Sequence, residues 1–306
     1  MKHRKVTNVA ASVRQCLLNE ARATGRPFNE LVQYFAMERF LYRLSRSQYG
    51  EKFVLKGALM LAMWEVSLSR PTRDIGLLGH VANDLDRIVV AVKEICAQDV
   101  VPDGLDFDQD GVRGERIAEE AEYEGVRVRF RGNLGTAAVT IQLDVGFGDV
   151  VVPAPVLTDY PTILDLPAPR IRGYTRESLI AEKFHTMVRR GLVNSRMRDL
   201  FDVWILSRQF DFDGEVIAAA VRETFARRDL EVAPRPVALT AEFAADTAKA
   251  TQWRGFLRKS RLEGVPGELA EVVMAIAAFL GPVAEVLHEG GEFERRWLAP
   301  GPWTSA

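Results

Sequence analysis

The sequence predicts an α+β protein: a β-sheet with flanking helices, followed by a C-terminal helical lobe. Three observations carry this. Residues Phe53 to Gly79 read as a strand, a Lys56-Gly57 turn, an apolar helix over Ala58–Trp64 and a second strand opening near Arg73. Two later segments, Val126–Phe130 and Val139–Phe147, alternate in side-chain character with the period of two that half-buried strands show. Beyond the proline-rich stretch Val151–Arg172 the apolar spacing turns helical and stays so almost to the end.

The elements follow in order. Val9, Val13, Leu17, Leu18 and Ala21 recur at helical spacing over Asn8–Ala23, and Gly25-Arg26-Pro27 breaks the run. A second helix, Phe28–Ser45, completes an N-terminal arm over residues 1–50, read chiefly as a packing module. The sheet domain spans 51–152. After Gly79, Leu85, Ile88, Val92 and Ile95 form one stripe of a helix over Asn83–Ala97, with Asn83 as N-cap. Asp99–Gly111 reads as a loop and Arg113–Glu119 as a strand. The arginines of Val126-Arg127-Val128-Arg129-Phe130 line either a solvated face or a substrate groove.

In Val139–Phe147 the odd-numbered positions are apolar and Asp144 lies on the polar face. Carboxylates are depleted in strand centres. A salt bridge or an edge position is one reason for it, and a metal carboxylate the other. Asp149 ends the strand or caps a turn. Residues 153–306 hold the connector, with its five prolines between 153 and 169, and the helical domain.

Within that domain Thr175–Arg190 reads as a helix with Lys183 at the edge of its apolar stripe. Asn194–Leu206 carries Asp199 and Asp202 three apart on one helix face. Asp199 can orient Lys183 or act as a base on an attacking hydroxyl, and Asp202 reads as structural, pairing with a basic residue such as Arg189 or Arg190. Thr251–Leu262 is a basic helix. Leu269–Leu287 is a final apolar helix, and 290–306 a tail that tucks Trp297 and Trp303 onto the surface.

Composition excludes several classes. A chain of 306 residues, 47% hydrophobic and 27% charged, suits one large or two modest globular domains. A net charge of −2 means that any nucleic-acid surface comes from local clustering. Cys16 and Cys96 sit in amphipathic helices and read as buried thiols of a reducing, cytoplasmic protein. The basic start lacks the apolar core of a signal peptide, and no run reads as the ~18–20 apolar residues of a membrane span.

Lys56-Gly57, Arg70-Pro71-Thr72-Arg73-Asp74-Ile75-Gly76, Leu143-Asp144-Val145-Gly146-Phe147-Gly148-Asp149, Glu182-Lys183 and Arg196-Met197-Arg198-Asp199-Leu200-Phe201-Asp202 together resemble the motifs of the AbiEii/AbiGii toxin family. These are nucleotidyltransferases of the polymerase-β-like superfamily. The resemblance implies that superfamily's mixed sheet and transfer of NMP from NTP to an RNA acceptor such as tRNA. It also implies Mg²⁺ or Mn²⁺ as cofactor, a cognate antitoxin as partner and a role in abortive phage infection. It carries Asp74 and Asp144 over as metal carboxylates, with Asp74, Asp144, Lys183 and Asp199 as the catalytic set. Lys56, Gly57, Arg73, Lys183 and Arg198 carry over as nucleotide contacts. The family's Asp-x-Asp is broken here, because Gly76 stands where the second Asp belongs. The expectation is therefore a toxin impaired in transfer, with a catalytically inactive nucleotide- or partner-binding protein as the rival. Asp149 and Glu65 are the residues that would substitute for the missing carboxylate.

Overall fold

The computed structural model describes residues 8–68, 70–119 and 123–305. The basic start at 1–7, where the absence of a signal peptide was read, lies outside the described residues, as do Ser69, 120–122 and Ala306. The chain divides into two compact units. The sheet unit comprises 1–64, 72–148 and 156–173, and the helical unit 65–71, 149–155 and 174–306. The N-terminal helices thus cluster with the sheet, and so does most of the proline-rich segment that the sequence placed with the helices.

In the sheet unit α1 is Val9–Thr24, capped by the Asn8 side chain accepting from the Ala11 amide, and it stops at Gly25. Helix α2 is Phe28–Arg46. Strand β1 is Phe53–Lys56, and the helix after it, α3, is only Leu59–Met63. Strand β2, Asp74–Gly79, leads to α4, Leu85–Cys96. The cap of α4 is Asp84 rather than Asn83, whose side-chain oxygen instead accepts from Arg116 at 3.0 Å.

The expected loop at 99–111 contains a strand, β3, Leu105–Phe107. Its pattern is too short to register as alternation, but Leu105 and Phe107 are buried with Asp106 exposed between them. Asp103 fixes its start: the carboxylate accepts a two-pronged Arg43 guanidinium at 2.6 and 3.1 Å and the Leu105 amide at 3.0 Å. Strands β4 (Arg113–Glu119), β5 (Tyr123–Leu134) and β6 (Ala137–Phe147) follow. The proline-rich connector also contributes strands, β7 (Val156–Asp159) and β8 (Arg170–Gly173). The prolines lie outside both strands, where they remove no ladder hydrogen bond.

The eight strands form one mixed sheet in the order β3-β5-β6-β2-β1-β8-β7, with β4 also paired to β5. The β1–β8 and β2–β6 pairs are parallel and the others antiparallel. One face of the sheet is apolar: Leu55, Ile75, Leu77, Val126, Val128, Leu143 and Val145 are all buried. Helix α2 packs on that face, with Phe40 4.9 Å from Phe130 between ring centres. The period of two therefore sends Asp74, Gly76 and Asp144 to the opposite face.

The helical unit holds α5 (Arg176–Arg190), α6 (Met197–Gln209), the short strand β9 (Phe212–Asp213) and α7 (Gly214–Arg227). Then come α8 (Ala241–Ala245), α9 (Thr247–Ser260) and α10 (Leu269–His288). The tail is not loose. Strands β10 (Arg295–Trp297) and β11 (Trp303–Ser305) join β9 in a three-stranded sheet. Trp297 is buried with its indole N–H on the Ser207 carbonyl at 2.7 Å, and the Trp303 indole donates to the Phe279 carbonyl. Two indoles with partners, Trp297 buried and Trp303 half-buried, anchor the tail.

Among the described residues α10 alone is long and apolar enough to cross a membrane by length and composition, against the expectation that no run reaches that length. Val272, Ile276, Phe279, Leu280 and Val283 are fully buried, so it serves as the core helix of this unit. Of the two cysteines, Cys96 is buried and its thiol is pushed up to about 12, chiefly by burial. Cys16 is exposed, on the outer side of α1, contrary to expectation.

Candidate functional site

The site residues named from the sequence fall into two groups, one in each unit. On the sheet, strand register aligns Lys56 with Gly76, Gly76 with Asp144, and Asp144 with Arg127 across β1, β2, β6 and β5. Paired residues share a face, so Lys56, the residue-76 position, Asp144 and Arg127 form one polar row. Asp74, two residues before Gly76, shares that face beside Gln142.

Each carboxylate on this face is engaged. Asp74 is half-buried and accepts the Thr72 hydroxyl. Asp144 accepts Arg127 Nε and Nη2, both at 2.7 Å, and Gln142 Nε2 at 3.2 Å. A paired fork of this kind is the strongest guanidinium–carboxylate geometry. The salt bridge considered as one reason for Asp144 is therefore present, and its partner is one of the alternating arginines. Gly76 has a close neighbour: a Cβ there would lie 3.1 Å from the Lys56 carbonyl oxygen and 3.5 Å from Lys56 Cγ.

Gly57 turns the chain after β1 with a φ of +76°, a left-handed conformation that glycine alone adopts cheaply. Nothing lies within 4 Å of an added Cβ there, so the backbone alone sets the cost of a side chain. Gly57→Ala is expected to lower stability by about 1 kcal/mol in a urea titration; an unchanged midpoint would contradict the turn. The α3 helix that follows has five residues. Its Met60 and Leu61 amides bond back to the Gly57 and Ala58 carbonyls, both at 3.1 Å. Arg73 is exposed at the start of β2.

In the helical unit α5 and α6 bring Lys183 and Asp199 together. The Lys183 ammonium lies 2.7 Å from Asp199 Oδ1 and 2.8 Å from Asp202 Oδ2. Asp202 is fully buried and also accepts Arg70 Nε and Nη2 at 2.8 and 2.9 Å. It is therefore paired with basic residues as expected, but they are Arg70 and Lys183 rather than Arg189 or Arg190. Arg189 and Arg190 lie in the last turn of α5, beyond Lys183. Two cations and two anions make a neutral buried quartet, and Arg196 stands 3.9 Å from Asp199 at its margin. Burial pulls the Lys183 ammonium down, but the fields of Asp199 and Asp202 outweigh it, so its pKa is raised. Burial likewise raises Asp202, and Arg70 and Lys183 more than reverse this, leaving its pKa lowered. Arg198 is exposed on α6.

Arg70, Thr72 and Arg127 were not singled out as site residues from the sequence. Arg70 and Thr72 sit inside the Arg70-to-Gly76 motif, which was the available signal. Arg127 becomes visible only once register places it opposite Asp144.

A paired-ion centre needs several convergent carboxylates. Among the described residues no group of three or more His, Cys, Asp or Glu side chains gathers to hold a metal ion. Gly76 contributes no ligand and Asp144 is forked by Arg127, so the residues present do not fit such a centre. Within the helical unit Asp149 accepts Arg228 at 2.8 Å. Glu65 is an exposed residue of the helical unit.

A family model described as the nucleotidyl transferase AbiEii toxin of type IV toxin–antitoxin systems matches residues 39–274. Two solved structures from Helicobacter pylori are similar at 15% identity. One is JHP933, with a TM-score of 0.46 over 86% of this chain and 93% of its own. The other carries a provisional nucleotidyltransferase designation, with a TM-score of 0.43 over 86% and 96%. Comparison with curated proteins finds no match.

Proposed function

The chain belongs to the AbiEii nucleotidyl transferase toxin family of type IV toxin–antitoxin systems, and from that premise we propose a toxin that handles an NTP but is impaired in passing NMP to an RNA acceptor. The family implies an antitoxin partner and an NTP substrate. We take the acceptor to be tRNA or an RNA like it, the compartment to be the cytoplasm and the biological role to be phage defence.

The observation that carries this reading is the Lys183–Asp199 contact of 2.7 Å inside a neutral buried cluster. A lysine fixed in this way is a preorganised positive charge for a triphosphate, and Asp199 can both orient it and accept a proton from an attacking hydroxyl. The acceptor oxygen would attack the α-phosphorus and pyrophosphate would leave. Lys56, Gly57, Arg73 and Arg198 are the proposed further nucleotide contacts. In this reaction class Mg²⁺ or Mn²⁺ neutralises developing charge on the phosphates; Asp74 and Asp144 are the residues that would face such an ion, and with Gly76 between them in the ladder and Arg127 forked on Asp144 they do not by themselves make a site for it. The residue-76 position lies in register with Asp144 and has no carboxylate, which is why transfer is impaired.

Incubation with total tRNA, each labelled NTP and Mg²⁺ tests the proposal. The chain as it stands should incorporate little label, and Gly76→Asp should raise incorporation by roughly 100-fold, the worth of several kcal/mol of charge stabilisation. Gly76→Ala controls for the close approach to Lys56 and should gain nothing. Robust labelling by the unaltered chain would refute the impairment, and no gain from the aspartate would refute the missing-ligand account. The rival reading, a binding-only protein, draws on the Arg127 fork over Asp144. It predicts nucleotide binding with no labelling by either form.

A further inference from the structure

We infer that Arg127 is a built-in cation on the sheet's carboxylate face, holding the place on Asp144 that a divalent ion would need. A nucleoside triphosphate then meets this face without a divalent ion. The inference rests on the nucleotide-handling reading above and names the role of one residue within it.

The geometry is specific. Arg127 and Asp144 are directly opposed in the antiparallel β5–β6 ladder, and the guanidinium donates Nε to Oδ1 and Nη2 to Oδ2, each at 2.7 Å. Gln142 adds a third donor to Oδ2 at 3.2 Å. The pair is only partly shielded, with side chains 25% and 20% exposed, so the fork sits where solutes can reach it. An ion taken up by Asp144 must first displace two charge-assisted hydrogen bonds. With no carboxylate at residue 76, Asp74 is the carboxylate that β2 leaves to help hold it.

Charge balance points the same way. Three carboxylates on one face would repel a triphosphate unless divalent ions stood between them. Here Gly76 removes one negative charge and Arg127 cancels another. Of the neighbouring groups, Lys56 adds a positive charge across the β1–β2 pair, and Arg129 is matched by Glu115 at 2.7 Å. On this face Asp74 and Asp144 stand against Lys56 and Arg127, and Arg113 and Arg131 add positive charge farther along β4 and β5. The missing carboxylate at 76 thus accompanies a guanidinium clamped on the acid that remains in its row.

Two measurements on the full chain test this. Calorimetric titration with Mn²⁺ in the absence of nucleotide should show no saturable binding to the unaltered chain. Gly76→Asp/Arg127→Gln should bind Mn²⁺ at least about tenfold more tightly, because ligand charge sets affinity. Titration with a fluorescent ATP analogue should give dissociation constants within about twofold in EDTA and in Mg²⁺ for the unaltered chain. Arg127→Gln should weaken binding in EDTA by about 10- to 100-fold. Arg127→Lys, which keeps the charge, should retain binding in EDTA, so the inference stays testable if the glutamine variant fails to fold. Tight Mn²⁺ uptake by the unaltered chain, or collapse of its ATP affinity in EDTA, would overturn the inference. Absence of ATP binding in either buffer would instead sink the nucleotide-handling reading, and the Mn²⁺ titration would still decide what Arg127 does.

Discussion

Asp202→Asn is expected to cost the protein about 4 kcal/mol of unfolding free energy, measured as a fall in the urea midpoint at neutral pH. The residue is fully buried and receives both Arg70 and Lys183. Asparagine keeps the volume but removes the charge, which leaves two cations to share Asp199. Uncompensated burial of a charge is among the few single changes that cost this much. A loss under about 1 kcal/mol would mean that the cluster is solvated or rearranged in solution.

The pH dependence follows with definite signs. Asp202 has a folded pKa below its ordinary 3.8, so its contribution is present above that value and is lost as pH falls through the lower, folded value. Lys183 has a folded pKa above its ordinary 10.5, so its contribution is present below 10.5 and is lost as pH rises through the higher, folded value. The stability gap between the unaltered protein and Asp202→Asn should stay constant between pH 5 and 9 and close below pH ~3.8. A gap that closes near neutrality would assign the effect to another group.

The helices were legible in the sequence because their apolar stripes are long. Lys183 and Asp199 could be placed on α5 and α6, with the helix ends right to one residue for α5 and to three for α6. Asp144 stood out because a carboxylate in a strand of buried Ile141, Leu143 and Val145 is anomalous on local grounds. Pairings between distant segments were not legible. Nothing near Asp202 announces Arg70, 132 residues earlier, and nothing near Asp144 announces Arg127 rather than Arg129. Both choices follow from tertiary register. The short strands β3, β7 and β8 were missed for a related reason. Three or four residues cannot display a period, and the prolines around β7 and β8 suppress the strand signal even though the ladders themselves avoid proline.

Lys183→Met separates the structural part of the quartet from its proposed work. Alone, the change leaves Asp199 and Asp202 buried against Arg70, with Arg196 3.9 Å away, and should destabilise the protein by about 3 kcal/mol. Adding Asp199→Asn removes the orphaned carboxylate and leaves the Arg70–Asp202 fork as a neutral pair. The double variant should therefore recover much of the loss, with a coupling of about 1–3 kcal/mol between the two positions. Affinity for a fluorescent NTP should behave otherwise. Both variants lack the ammonium, so both should bind about 10- to 100-fold more weakly than the unaltered chain. Stability that returns without nucleotide affinity assigns Lys183 to the triphosphate. If affinity returned together with stability, the lysine would be a structural counter-ion for Asp199 and Asp202, and the proposed nucleotide contact would have to lie elsewhere.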